Sequence, residues 1–529
     1  MSFTGNNRIS DLLFRSDHMN CWVGLEINSG SMGGGSGAAL GHSKKYFSTE
    51  YFLHHPVNRL GVHVSIAAAL PVALLHLLTT PFGVSQRILL EEIHSMIRKN
   101  VLLVVCCSGL IGLGLVGLAQ QSEQVAATPK ATEAPAGFKT PTLSKHPGSK
   151  SVSNGIPEPP NDTFAIDQAN FEAREGSDTG LGPVHNATIC ADCHQGTGTG
   201  GPSQVTEVRA GHLDANGNFV NPTIFINRGK DMITGRSLIN DRAICPQAEE
   251  HLPPAENIRT LRAALNTLGD GFVEAIDDQT LIDIAAEQPK ESNGVIHGET
   301  IEVPILEATG KMRVGRFGWK DQHGSILSFS ADAYLNEVGI SNRLKPVDIT
   351  TVCKTTKDPE DKADKTGLFG IDHFAQFIRG TLVPPRDYVL AGEPEVKAGE
   401  KLFAQVQCSI CHVSTIVTAP PGTVIDGGTF TIPDALGSKI IHPFSDFLLH
   451  DVGTGDGIVQ VGPQDTQHKL RTAPLWGVRT KSRFMHDLKS ESFEQAILRH
   501  QNEASNSISL FKQLTPQERN ELLKFLSSL

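Results

Sequence analysis

Cys190-Ala191-Asp192-Cys193-His194 and Cys408-Ser409-Ile410-Cys411-His412 are two copies of one pattern, Cys-x-x-Cys-His. In each copy two thiols can bond covalently to a porphyrin edge, and the histidine that follows can reach the iron as its proximal ligand. The pattern is the attachment signature of a c-type haem. The sequence therefore predicts two covalently bound c-type haems, one on Cys190, Cys193 and His194, the other on Cys408, Cys411 and His412. A thioredoxin-type redox pair needs no histidine after it, and no βαβ context surrounds either copy. A zinc site made of two Cys-x-x-Cys pairs usually keeps them close together, whereas more than two hundred residues separate Cys193 from Cys408. The remaining cysteines are Cys21, Cys106, Cys107, Cys245 and Cys353. Cys245 and Cys353 could form a disulfide in an oxidising compartment, a pairing that sequence alone does not establish.

Each iron also needs a ligand, or a vacancy, on its other face. Phe493, Ala496, Ile497 and His500 fall at i, i+3, i+4 and i+7, so a helix there would carry His500 on its apolar face. A buried, hydrogen-bonded histidine is the commoner cause of such a position, but beside a haem motif ligation is the stronger reading. The elements that frame the second motif are legible. Val396, Gly399, Leu402, Phe403 and Val406 recur at helical spacing just before Cys408. Near the C-terminus Thr515 and Glu518 form a capping box, Pro516 suits the first helical position, and Leu522, Leu523 and Leu526 supply an apolar stripe. After the first motif come Gly196, Gly198, Gly200 and Gly201, which either let backbone pass close to a flat cofactor or simply form a loop.

The 529 residues leave room for several domains, and the net charge of −11 without a long basic run gives no support to nucleic-acid binding. The 51 glycines, 30 prolines and 6% aromatic content favour loop-rich domains over long helices or repeats. Met96-Ile97-Arg98-Lys99-Asn100, the apolar run Val101–Leu118 and Ala119-Gln120-Gln121 read as a positive, an apolar and a small-residue segment. Residues 96–121 are thus a signal peptide or, alternatively, a membrane anchor. Residues 1–95 read as a gene-model extension upstream of a start at Met96, or as disordered, and 122–160 as a flexible linker rich in Pro, Thr, Ala, Ser and Lys. Either signal or anchor places the haem-bearing part in the periplasm or otherwise outside the cytoplasm, as covalent haem attachment to an exported chain requires.

Arg471-Thr472-Ala473-Pro474-Leu475-Trp476-Gly477 followed by Met485-His486-Asp487 resembles the C-terminal signature of bacterial di-haem cytochrome c peroxidases. Gly315-Arg316-Phe317-Gly318-Trp319-Lys320 and His450-Asp451-Val452-Gly453 narrow the resemblance to the related di-haem c-type oxidoreductases, some of them known as thiol oxidoreductases. It covers roughly residues 181–529. Gly399-x-x-x-Phe403 is similar to the first helix of cytochrome c domains, where a small residue lets the last helix cross closely. Counted from His486, the resemblance implies His500 as the axial ligand of the electron-transfer haem, a position usually held by Met. A His there should lower the reduction potential. It also implies that Trp319 lies between the haems and mediates electron transfer, with Arg316 and Lys320 near propionates; a core Trp flanked by surface charges is the equal alternative. His212 matches the spacing of the peroxidases' distal histidine, with His251 and His323 as weaker candidates. An open distal site is the other option, and peroxide chemistry needs one, together with a group that moves a proton between the peroxide oxygens. Glu274 and Glu337 are the candidates. Two departures stand out: His185 replaces a commoner aromatic, and His486-Asp487-Leu488 replaces His-Asp-Gly, which puts the loop under the second haem in doubt.

The expectation is a mostly α protein of two cytochrome c-like haem domains with long loops. The first, residues 161–385, carries a mixed insertion from about 225; the second is 386–529, after Pro384-Pro385-Arg386. Its function would be that of an exported di-haem oxidoreductase, peroxidase-like, carrying electrons from the second haem to a reactive first haem. The donor would be a small electron-transfer protein or a small-molecule reductant, and the substrate peroxide or another small molecule. A closed electron carrier and a haem-based sensor are the alternatives.

Overall fold

Thr206–Leu213 (β1) and Ile258–Ala263 (β4) are the longest strands of a computed structural model that describes residues 130–137, 153–358 and 362–529. They pair antiparallel from Thr206 opposite Ala263 to Gly211 opposite Ile258. Phe219–Val220 (β2) and Leu238–Ile239 (β3) extend this sheet along β1. Six further small sheets are scattered through the described residues. The segments assigned above to residues 1–95 and 96–121, with Cys21, Cys106 and Cys107, lie outside the described residues. The described residues all belong to one compact unit, Val116–Leu529, and none of their helices is long and apolar enough to cross a membrane.

The expectation of a mostly α protein is overturned: strands and helices alternate along the chain, and the fold is a mixed α/β one with many small sheets. Most strands are only two or three residues long, too short for the period-2 alternation that reveals a strand in sequence. β1 itself turns the charged side chains of Glu207 and Arg209 into a cavity. Thr132–Glu133, within the stretch expected as linker, pairs in parallel with Lys439 and Ile440.

Two apolar clusters carry the helices. In the first, Phe164–Phe171 (α1) packs on Gly370–Gly380 (α4). Phe164 stacks on Phe377 at 5.3 Å between ring centroids, and Phe171 meets Phe377 at 4.8 Å and Phe374 at 6.2 Å. Asp278–Glu291 (α2) and Ile326–Val338 (α3) pack against the same cluster. In the second, Pro394–Gln405 (α5) crosses Pro516–Leu526 (α8), with Phe403 and Phe525 at 5.3 Å. A Cβ at Gly399 would collide with the carbonyl oxygen of Glu521, so the small residue is needed for this close crossing. The capping box of α8 forms as its residues suggest: Glu518 N donates to Thr515 Oγ1 at 3.3 Å, and Thr515 N to Glu518 Oε2 at 2.8 Å. Phe493–Leu498 (α6) and Ser505–Gln513 (α7) complete this half. The helix expected to carry His500 stops at Leu498, and His500 sits on its last turn, its N–H donating to Ile497 O at 3.0 Å. Cys245 and Cys353 are joined, closing a loop of 108 residues.

Candidate functional site

Both Cys-x-x-Cys-His segments fold alike. Cys190–Asp192 and Cys408–Ile410 are single 3-10 turns, the second entered through Gln407 at φ 66°. The four cysteines are free. Burial pushes the thiols of Cys190, Cys193 and Cys408 up to about 12 and that of Cys411 in the same direction. Low-pKa thiols mark redox pairs and metal thiolates; these are the reverse. His194 Nδ1 donates to Leu265 O at 2.9 Å, and His412 Nδ1 to Phe444 O at 2.9 Å. A carbonyl only accepts, so in both rings Nδ1 carries the proton and Nε2 keeps its lone pair, the tautomer a metal ligand needs. Burial lowers both imidazoles, His412 to about 4, which keeps them neutral.

Each motif lines a cavity with about 210 Å³ open to the centres of water molecules, an order of magnitude beyond the ~10–15 Å³ that one water occupies. Their walls are largely apolar. In the first, Phe171 presents its edge to His194 at 6.3 Å; in the second, Phe403 lies 6.1 Å from His412. Lys481 lines the second cavity, and its ammonium has no ion pair or hydrogen bond among the described residues. Burial and the nearby Arg471 guanidinium push it down to about 8. An unpaired cation facing a greasy cavity calls for an anionic ligand edge. Reduced thiols, lone-pair imidazoles and that cation fit an attached haem with its acidic propionates.

The cavities differ in what faces the proximal histidine. The second holds His500, whose Nδ1 donates to Ala496 O at 2.9 Å, leaving Nε2 free. Arg499 clamps this turn through both oxygens of Asp487, at 2.9 and 2.7 Å. Leu488, where the resembling proteins have Gly, takes φ 54°, a left-handed conformation that costs a non-glycine residue about 1–2 kcal/mol. The loop thus keeps a glycine's backbone without a glycine. His486 also lines this cavity, with its ring 6.0 Å from Trp319.

In the first cavity, His194 is the only His or Met on the wall among the described residues. Facing the cavity instead are Glu207 and Arg209 from β1, ion-paired at 2.5 Å, and Glu337 from α3. Glu207 and Glu337 share the wall of this cavity and act on each other electrostatically. Burial first, and the neighbouring Glu207 second, raise Glu337 well above the ordinary carboxyl range, while Arg209 holds Glu207 below it. Asn186 Nδ2 donates to Glu337 Oε2 at 2.9 Å. Tyr334, also on this wall, is tied through its hydroxyl to Glu175 at 3.0 Å.

Trp319 is on the walls of both cavities, with its indole N–H donating to Ala263 O at 2.9 Å. Glu274 faces neither; Arg379 grips it at 2.6 and 2.9 Å, and it accepts from Ile326 N at 2.7 Å. His212 lies outside the first cavity on the sheet edge, paired with Glu256 at 2.7 Å. His251 is exposed, and His323 is stacked on Phe329 at 5.2 Å with Asp332 at 3.3 Å; neither lines a cavity. Arg316 and Lys320 are spent elsewhere, Arg316 on Asp278 and Ile276 O, and Lys320 on Asp456 at 3.1 Å. The glycine run after His194 turns the chain back, with Gly200 donating to His194 O at 2.8 Å, and does not line the cavity. Sequence reasoning missed Glu207 and Arg209 because β1 was unrecognised. Spacing by two, from Val205 through Glu207 and Arg209 to Gly211, was the available signal.

No curated protein matches the chain. Among solved structures, a MauG-like protein associated with microbial copper homeostasis is 19% identical with a TM-score of 0.20, over 30% of this chain and 52% of that one. The match thus spans about half of that protein's length. Hydrazine synthase of Kuenenia stuttgartiensis is 13% identical with a TM-score of 0.31, over 76% of this chain and 97% of that one. The family model described as "Di-haem oxidoreductase, putative peroxidase" matches residues 252–529, which include the second Cys-x-x-Cys-His and begin after the first. Covering more than half of the sequence, that match makes this chain a member of the di-haem oxidoreductase family.

Proposed function

We propose that this di-haem oxidoreductase is an exported c-type enzyme that reduces hydrogen peroxide at its first haem, held by Cys190, Cys193 and His194, with electrons taken up by its second, held by Cys408, Cys411 and His412. The observation that carries the reading is the asymmetry of the two cavities: His500 faces the second, and among the described residues no His or Met besides His194 lines the first. A haem bound there supplies a one-electron couple and an iron position open to a small oxidant.

The chain's own residues handle protons, electrons and water. Peroxide reduction consumes two electrons and two protons and releases two waters. Glu337 holds a proton at the first cavity and gives it to the leaving oxygen. Glu207, kept anionic by Arg209, takes the proton from the attacking one. Asn186 fixes the Glu337 carboxyl. Trp319, common to both walls, is the electron route. The donor to the second haem is a small electron-transfer protein or a small reductant. Export is supported by the Cys245–Cys353 disulfide, which persists in oxidising compartments.

Carbon monoxide added to the reduced protein is expected to bind one haem of the two, and peroxide turnover to follow. Binding to neither would make the protein a closed electron carrier; binding without turnover would make it a sensor. Trp319→Phe is expected to slow electron transfer between the haems, measured by stopped-flow reoxidation, with both haems retained. Unchanged kinetics would take Trp319 off the route.

A further inference from the structure

Asp162, Asp167 and His373 converge at the contact of α1 with α4, and none of the three lines either haem cavity. Their side chains are 0%, 4% and 2% exposed. His373 Nδ1 lies 2.7 Å from Asp167 Oδ1 and 3.7 Å from Asp162 Oδ1, and one ligand atom from each residue falls within 4.8 Å of the others. Both oxygens of Asp162 are buried without a hydrogen-bond partner.

That is an unstable arrangement for the protein alone. A buried carboxylate with no partner costs several kcal/mol. One imidazole offers one proton at Nδ1, and Asp167 already takes it, so Asp162 keeps only the 3.7 Å approach to that ring and no hydrogen bond beside a second carboxylate. Two carboxylates and one imidazole are, in contrast, an ordinary donor set for a divalent ion. With arms of about 2.0–2.2 Å, tetrahedral ligand atoms stand about 3.3–3.6 Å apart, within the spread of separations seen here. The outer shell fits as well. The far nitrogen, His373 Nε2, meets Asp364 Oδ2 at 3.4 Å, the carboxylate–histidine arrangement that orients a metal-bound imidazole.

We infer that Asp162, Asp167 and His373 form a binding site for a divalent first-row transition-metal ion, with Asp364 as the carboxylate that positions His373. The mixed N/O donor set suits zinc or its neighbours better than calcium, which prefers six to eight oxygens. The ion would clasp α1 to α4. These helices carry Phe171 and Phe374, both on the wall of the first cavity, so it would hold that wall in place. The site does not depend on the peroxidase reading.

The test uses the tag-free full-length holoprotein, stripped with a chelator and dialysed against zinc chloride. Elemental analysis is expected to find one zinc per chain beyond the haem iron, and zinc X-ray absorption a first shell of nitrogen and oxygen only. Asp364→Asn, at a half-exposed carboxylate, should fold normally and weaken zinc about 10–100-fold. Asp162→Asn should abolish binding while both haems remain. No bound zinc, a sulfur scatterer in the first shell, or undiminished affinity in Asp364→Asn would each overturn the assignment.

Discussion

Glu337→Gln is expected to cut peroxide turnover by about 10²–10⁴-fold while both haems stay in place. Glutamine keeps the shape of the protonated side chain and its contact with Asn186, but it has no proton to give. The loss should therefore appear in kcat, with KM for peroxide little changed. The pH profile carries a second signature. Burial and Glu207 raise Glu337 well above the ordinary carboxyl range, so it gives up its proton at a higher pH than an ordinary carboxyl does. Wild-type turnover should hold through neutrality and decline on the alkaline side. The variant should lose that limb of the profile. Glu274→Gln is the contrasting case. Glu274 is fully buried and held by Arg379, so breaking the pair should cost about 3–5 kcal/mol of stability, read in a thermal melt. A Glu337→Gln enzyme with normal turnover would remove the carboxyl pair from the chemistry.

His500→Ala is expected to convert the second haem from low-spin to high-spin, seen in the optical and paramagnetic resonance spectra of the oxidised protein. The side chain is prepared for ligation: burial keeps it neutral, its Nδ1 proton is committed to Ala496 O, and the Arg499–Asp487 clamp fixes its turn. His500→Met should keep the haem six-coordinate and raise its potential, because a thioether favours reduced iron. A redox titration would register the change. If His500→Ala stayed low-spin, His486 on the same wall would be the alternative ligand, since His450 is tied up at 2.8 Å to Asp446 and 2.9 Å to Glu503.

What could be read from the residues was local. Cys-x-x-Cys-His places attachment and proximal ligation on five consecutive positions, so no fold is needed to see it. The helix before Cys408 and the capping box at Thr515 follow from spacings within a few turns, and the narrow crossing at Gly399 from the resemblance to cytochrome c domains. His500 was reachable the same way, although its helix ends at Leu498. The sheet was not legible. Its short strands give almost no periodic signal, and β1 turns charged residues inward.

Those inward charges are where the tertiary structure decided matters. Glu207 and Glu337 are 130 positions apart, and only the tertiary fold puts both on the wall of one cavity. Asp162 and Asp167 meet His373 through the docking of α1 on α4. Trp319 is one indole among three tryptophans, and sharing the walls of both cavities is a property of the folded chain. The sequence by itself determined two Cys-x-x-Cys-His segments and which residues each would offer to a haem. The tertiary structure decided what faces each of them, because groups such as Glu337 and His500 come from separate elements of the fold, and their meeting with the motif depends on packing rather than spacing.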